Sequence, residues 1–446
     1  MKKNNDIIVN VIGAGLAGCE ASYQIAKRGI KVKLYEMKPS HFSPAHTSKD
    51  YAELVCSNSL RSNRLTNAVG LLKEELRLLD SLLIKTADEC QVPAGGALAV
   101  DRNVFSSKIT NIIKNHPLIE AVNEKVEKFD LSNYTIVASG PLTSEGLFDY
   151  IEKIIGHEKI HFYDAISPIV SKSSIDFSRA FIGNRYEEDG QDYINCEMTR
   201  QEYEDFYNEL INAEKAPLKD FEKSIEYFEG CMPIEKIAST GIKGPLFGPM
   251  KPVGLKNPKG ERFHAIVQLR KESINDDLYN IVGFQTNLKY SEQKRVFSMI
   301  PALKKADFVR YGSMHRNSFI NSPDILNKSY QMKKHPNIFF AGQISGVEGY
   351  TESISSGLYA GINMVNFING KEFIDFPETT AIGGLSNYIT ASSSKNFQPT
   401  NSNFGIIKSE EINQKLNKQE KRKIISKKSL EIIKNIIITS TDKGIY

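Results

Sequence analysis

The feature that most limits what this chain can become lies near its start. Residues 7–12 (Ile-Ile-Val-Asn-Val-Ile) form a short apolar run of the kind buried in a parallel sheet, leading straight into Gly13-Ala14-Gly15-Leu16-Ala17-Gly18. Residues 17–28 then place Ala17, Ala21 and Ile25 at helical spacing, with Gly29 as the stop. Residues 31–36 alternate as a second strand that closes on Glu36. A Gly-x-Gly-x-x-Gly alone is a weak signal. Set between a strand and a helix, with an acid about 20 residues on, it specifies a βαβ dinucleotide-binding unit. Gly13 permits the sharp turn, Gly15 lets a pyrophosphate approach the backbone, and Gly18 lets helix and strand come close. With Ala14, Leu16 and Ala17, the turn offers phosphate its N–H groups and the positive end of a helix dipole. Glu36 is placed to accept hydrogen bonds from ribose hydroxyls.

The turn does not by itself separate FAD from NAD. A second strand running into glycine favours FAD: residues 337–342 (Asn-Ile-Phe-Phe-Ala-Gly) precede Gln343, Gly346 and Gly349, and residues 350–368 read as a helix. This adds Gly342, Gln343 and Tyr350 to the cofactor-binding set, as in two-part flavoproteins. NAD(P)H, where it takes part, visits to reduce the flavin. Between these elements the sequence reads as a polar loop over 39–66, a helix over 68–80, a Gly-rich stretch over 93–101, a strand over 134–140 and a helix opening near Thr143. From about 160 to 320 the character changes. Helical stretches such as Gln201–Leu210 alternate with strands such as Ala265–Leu269 and Tyr279–Phe284. The expected fold class is α/β, with a Rossmann-like FAD domain built from 1–160 and 320–407. An α+β domain is inserted at 161–319, and a basic helix occupies 408–446.

Bulk properties narrow the choices. The net charge of +4 over 446 residues is small, so any nucleic-acid surface must be local. No run of 18 apolar residues exists, so no membrane span is expected, and the N-terminus lacks an apolar signal core, which points to the cytoplasm. The five cysteines (Cys19, Cys56, Cys90, Cys196 and Cys231) are odd in number with no CxxC spacing, so neither a disulfide framework nor a metal site is expected.

Several long segments resemble one family, the folate- and FAD-dependent tRNA (uracil-5-)-methyltransferases. They include Ala52-Glu-Leu-Val-Cys-Ser-Asn-Ser-Leu-Arg61, Asn67-Ala-Val-Gly-Leu-Leu-Lys-Glu-Glu75 and Val92-Pro-Ala-Gly-Gly-Ala-Leu-Ala-Val-Asp-Arg102. Further ones are Phe228-Glu-Gly-Cys-Met-Pro-Ile-Glu235, Phe247-Gly-Pro-Met-Lys-Pro-Val-Gly254, Met314-His-Arg-Asn317, Phe340-Ala-Gly-Gln-Ile-Ser-Gly-Val-Glu-Gly-Tyr350 and Asn396-Phe-Gln-Pro399. They run from residue 7 to about 407 in the family's order and so cover nearly the whole chain. The glucose-inhibited-division flavoproteins share the Gly-rich turn but are longer. The resemblance implies that NAD(P)H reduces FAD, that 5,10-methylenetetrahydrofolate donates the carbon, and that C5 of the T-loop uridine of tRNA receives it. The same chemistry on 23S ribosomal RNA, a flavin-dependent NAD(P)H oxidoreductase without methyl transfer, and a non-catalytic RNA-binding flavoprotein remain as alternatives.

Uracil C5 is a poor nucleophile. A thiolate adding to C6 generates an enolate, and a base must later remove the C5 proton. The resemblance puts these tasks on Cys231, read as nucleophile, and Cys56, read as base, with the reverse assignment open. Cys19 and Cys90 read as buried hydrophobes and Cys196 as structural, with Glu197 where the family has Pro. Arg61, Lys251 and Arg270 are candidates to favour a thiolate. Tyr350 is either a stacking ring for folate or uracil, or a packing residue. His315 and Arg316 read as a polar turn in which Arg316 holds a phosphate or the folate tail, or is plain surface. Lys418, Lys421, Arg422, Lys423, Lys427 and Lys428 either track an RNA backbone or form a solvated face. Leu246 stands where the family usually carries Arg.

Overall fold

The computed structural model describes residues 7–156, 160–165, 167–187, 190–216, 232–255, 263–272, 277–312, 314–409, 416–442 and 444. Strand β1 (Ile8–Ile12), helix α1 (Leu16–Lys27) and strand β2 (Lys31–Glu36) form the N-terminal βαβ unit. They seed a five-stranded sheet in the order Ile338–Phe340, Thr135–Val137, β1, β2, Ile119–Asn123. Every neighbouring pair is parallel; Ile8 lies opposite Lys31, and both Asn10 and Ile338 lie opposite Thr135. Val9, Val11, Leu34, Ile136 and Phe339 are fully buried, as a sheet covered on both faces requires.

Helix α1 is buried on nearly every side because the helix Tyr350–Ile368 lies against it. Small residues allow that approach: a Cβ on Gly357 would meet the Ala17 carbonyl oxygen at 2.3 Å. The one carboxylate inside α1 is satisfied. Glu20 accepts from Gln24 Nε2 (2.8 Å), Ser81 Oγ (2.8 Å) and the Leu83 N–H (3.0 Å), and so caps the helix Leu82–Glu89.

A second sheet has six antiparallel strands, ordered Ala180–Ile182, Tyr193–Met198, Ala265–Lys271, Leu278–Ile281, Ile169–Ser171, Phe308–Arg310. Helix Arg200–Asn212 covers it, started by a capping box between Thr199 and Glu202. Among the described residues there are two large hydrophobic cores and a small third cluster of Val92, Ala94 and Ala99. One collects residues from Val9 to Ile155 and from Phe319 to Ile433, the other residues from Val170 to Phe308. A two-stranded ribbon, Ile160–Ala165 with Met314–Phe319, carries the chain out and back.

Three expectations need correction. The stretch 39–66 is not all loop: Ser59–Ser62 is a strand paired with Ala97–Val100, inside the stretch read as Gly-rich. His315 and Arg316 lie on the Met314–Phe319 strand, opposite Asp164 and Tyr163, and not in a turn. The C-terminal helix also starts later than expected, at Lys418 and not at 408, and runs to Asp442. Among the described residues no helix is long and apolar enough to cross a membrane, and no group of His, Cys, Asp and Glu could hold a metal ion.

Candidate active site

The turn after β1 has the geometry its glycines demand. Gly13 sits at φ +101°, and a Cβ there would meet the Ala138 carbonyl oxygen at 2.6 Å. A Cβ on Gly18 would lie 1.8 Å from the Gly13 oxygen, so any side chain would force α1 off the sheet. Gly15 differs: nothing in the protein lies within 4 Å of where its Cβ would be. Its side faces open space, room that a ligand can use.

That space is a groove of about 1120 Å³, counting its open mouth. Gly13, Ala14, Gly15, Leu16 and Ala17 line it, as do Glu36 from the end of β2 and Gly342, Gln343 and Tyr350 from the far segment. Gly18 lies one layer behind, against Gly13. The Glu36 carboxylate is pinned, accepting the Ala14 N–H through Oε2 (2.9 Å) and the Lys38 N–H through Oε1 (3.1 Å). Each oxygen keeps a lone pair for a hydroxyl in the groove. A cradle kept open by glycine, a helix N-terminus and a fixed acceptor suit a dinucleotide.

Lys38, Ser43, His46 and Glu53 also line the groove, and the sequence reading passed over all four. The Lys38 ammonium donates to the Asp50 carbonyl and lies 3.6 Å from Glu53 Oε2. Glu53 Oε1 accepts from the N–H groups of Thr47 (3.0 Å) and Ser48 (3.1 Å), which tightens the loop. Burial, and then Lys38, lower the His46 pKa, so its ring is neutral at pH 7.

Cys56 adjoins this groove through Tyr350. The Tyr350 phenol oxygen accepts the N–H of Cys56 (2.9 Å) and of Ser57 (3.2 Å), and Cys56 Sγ lies 3.0 Å from it. Burial, then the neighbouring Cys56, raise the Tyr350 pKa well above its ordinary value, so the phenol keeps its proton. With both lone pairs taken by N–H donors, the phenol O–H is left to donate to the sulfur. A donor aimed at Sγ favours negative charge there.

Each of the three cations considered from sequence has a partner of its own. Arg61 pairs with buried Glu352, and Lys251 donates to the Tyr186 hydroxyl (3.3 Å). Arg270 braces the loop that follows the thiol: its Nη2 donates to Ser57 Oγ (2.7 Å) and its Nε to Asn58 Oδ1 (3.1 Å). Asn58 returns a bond to the Lys271 carbonyl (2.9 Å), so a strand of the second sheet fixes the thiol loop of the first domain. Arg102 feels the Cys56 sulfur; it is paired with Glu272 at 2.6 Å and donates to the Leu54 carbonyl (2.9 Å). Arg310 is close by, its pKa lowered by burial and then by repulsion from Arg102.

Three other thiols are disfavoured as thiolates. Burial pushes the thiols of Cys19, Cys90 and Cys196 up, and Cys19 Sγ donates to the Ala14 carbonyl at 3.3 Å. Cys231 lies outside the described residues. Leu246 is partly buried against the second core. Arg422 donates to the Thr66 carbonyl (3.3 Å) and lies over the Phe404 ring, whereas Lys418, Lys423, Lys427 and Lys428 are exposed.

The family model described as glucose inhibited division protein A matches residues 8–372. Among curated proteins, the chain is similar to methylenetetrahydrofolate–tRNA-(uracil-5-)-methyltransferase TrmFO of Bacillus licheniformis. They are 55% identical over 430 residues, covering 96% of this chain and 98% of that one. The protein of that name from Acetivibrio thermocellus is 58% identical over 402 residues, covering 90% and 92%. Among solved structures, Aquifex aeolicus GidA aligns with TM-score 0.69 at 16% identity over 96% of this chain and 76% of that one, a likeness of fold.

Proposed function

The chain belongs to the TrmFO family of folate-dependent tRNA (uracil-5-)-methyltransferases, and from that premise we propose that it methylates C5 of a uridine in tRNA. The carbon comes from 5,10-methylenetetrahydrofolate, and bound FAD supplies the reducing electrons, drawn from NAD(P)H. The observation that carries the reading is the contact between Cys56 and Tyr350, a wall residue of the dinucleotide groove, at 3.0 Å. It brings sulfur chemistry and a nucleotide cradle into one site.

In this reading Gly13, Ala14, Gly15, Leu16 and Ala17 hold the pyrophosphate, and Glu36 holds the ribose. Gly342, Gln343 and Tyr350 face the ring system, while Gly18 seats α1 behind the turn. Cys231 adds as thiolate to C6 of the uracil, forming a C–S bond and an enolate, and C5 then attacks the one-carbon unit. Cys56, favoured as thiolate by the Tyr350 hydroxyl, removes the C5 proton as the carbon–nitrogen bond to the folate breaks and releases tetrahydrofolate; a two-electron reduction turns the methylene into a methyl, and the C6–S bond then breaks and returns the Cys231 thiolate. Arg102, buried against Glu272, anchors the approach to the thiol loop through the Leu54 carbonyl.

The test is direct. The purified protein is incubated with FAD, NADH, labelled methylenetetrahydrofolate and unmodified transcripts of tRNA and of 23S ribosomal RNA, and the digested nucleosides are separated. Label in 5-methyluridine from tRNA is expected. Label only in ribosomal RNA moves the target, and NADH oxidation with no label in either RNA leaves a plain oxidoreductase.

A further inference from the structure

The second domain exposes apolar groups that its own core does not use. Phe247 is 82% exposed, Tyr186 70%, Val253 57% and Ile242 43%. Water contact over that much apolar surface is unfavourable, and such patches mark interaction sites. The segment that carries Ile242, Phe247 and Val253 bears charge of one sign, whereas Tyr186 is followed in sequence by Glu187, Glu188 and Asp189. Residues 236–255 contain Lys236, Lys243 and Lys251 and no Asp or Glu. Lys236 and Lys243 are exposed.

Hydrogen bonds join the patch to the thiol loop. The Tyr186 N–H donates to the Gly254 carbonyl (2.8 Å), which ties the two segments of the patch together. Arg185 donates to the Val253 carbonyl (2.8 Å) through Nη1 and to Gln268 Oε1 (2.8 Å) through Nε. Gln268 and Arg270 are two apart on one strand and therefore share a face. Arg270 in turn holds Ser57 and Asn58, next to Cys56. A polar groove has both Arg185 and Gln268 in its wall, together with Ser62 and Arg64, which follow the thiol loop. Two acids beside it are engaged: Glu187 pairs with Arg64, and Asp192 accepts from Asn184 (2.9 Å).

We propose that Tyr186, Ile242, Phe247 and Val253, with Lys243 and Lys251, form the platform on which the RNA substrate lies, its bases stacked on the two rings and its phosphates on the lysines. The inference rests on the RNA-methylation reading and adds the surface that reading lacks. A pyrimidine that swings toward a thiol leaves its own stack, and exposed rings replace the lost stacking for its neighbours. A polyanion matches the stretch 236–255, which holds three lysines and no acid, and Glu187 beside Tyr186 is already paired with Arg64.

The test is binding of an unmodified tRNA transcript by the FAD-loaded protein at several salt concentrations. Phe247→Ala and Tyr186→Ala should each weaken binding about ten-fold without changing the salt slope, as loss of base stacking does. Phe247→Tyr keeps a stacking ring and should bind as the parent does. Lys243→Gln and Lys251→Gln should each lower the salt slope by about one. Retained flavin absorbance and an unchanged melting temperature show that each variant is folded. Unchanged affinity in every variant, while the parent still forms 5-methyluridine, would overturn the platform and leave the methylation reading standing. A parent that neither binds nor methylates the transcript overturns the methylation reading itself.

Discussion

Replacing Tyr350 with Phe removes one oxygen that does three things. It accepts two backbone N–H groups, at 2.9 and 3.2 Å, and it donates to Cys56 Sγ at 3.0 Å. A hydrogen bond to a charged acceptor contributes about 1.5–3 kcal/mol. At about 1.4 kcal/mol per pH unit, its loss should move the pH of half-maximal Cys56 alkylation upward by about one to two units. The two stranded N–H groups should also cost stability. An unsatisfied buried group costs about 1–3 kcal/mol, and because this loop is only half-buried, water recovers part of it, leaving about 2 kcal/mol in all. The assay is iodoacetamide labelling from about pH 5 to about pH 10, resolved by peptide mass spectrometry so that Cys56 is read apart from Cys231. Urea unfolding of the same variant measures the stability term. An alkylation midpoint that stays in place or falls would show that the phenol does not donate to the sulfur, and the thiol would need another source of activation.

Three further outcomes are expected. Gly18→Val should give a protein with little bound flavin and a melting temperature lower by several degrees, since its Cβ would lie 1.8 Å from the Gly13 oxygen; full flavin content would contradict the close approach of α1 to the turn. Burial raises the Glu75 pKa to about 7 even though the Ala381 and Ile382 N–H groups bond its carboxylate. The folded state therefore holds this proton more tightly than the unfolded state, so stability contributed by Glu75 is present below the ordinary carboxylate range and is lost as pH rises toward 7. Urea titrations should show a fall of about 3 kcal/mol across that window, with Glu75→Gln flattening it. A thiol reagent applied to the native protein should label Cys56 and leave Cys19 and Cys196 untouched until denaturant is added; early labelling of either would contradict their full burial.

The nucleotide half of the fold was legible because local rules agree there. The strand Lys31–Glu36 and the helix Tyr350–Ile368 have the bounds read from alternation and from glycine stops. Ser59–Ser62 escaped notice because only Leu60 of its four residues is buried, so no apolar alternation announces it. The strand holding His315 and Arg316 is polar because it belongs to a two-stranded ribbon and not to a core sheet. The site divides in the same way. Gly13 to Glu36 stand close in sequence, and their purpose follows from spacing. Arg102 gains meaning only from Glu272, which arrives from the other domain far along the chain, and Arg270 was noticed as a charge when it is a brace. Contacts that depend on how two domains meet leave no local pattern to read.

The place of Ile338–Phe340 in the first sheet has a consequence for how the protein is made. This strand lies beside Thr135–Val137, although roughly 200 residues separate them in the chain. Ribosomes add about 5–20 residues per second, so for about 10–40 seconds the nascent polypeptide carries a parallel sheet with one flank open. The helix that later covers α1 is translated only after that strand. During this interval the intervening domain has its own core and can fold first, while the N-terminal half waits with unpaired backbone and uncovered apolar surface. Messages truncated before residue 338 therefore yield sticky fragments without a finished cofactor cleft, and a translational pause in that stretch lengthens the exposure.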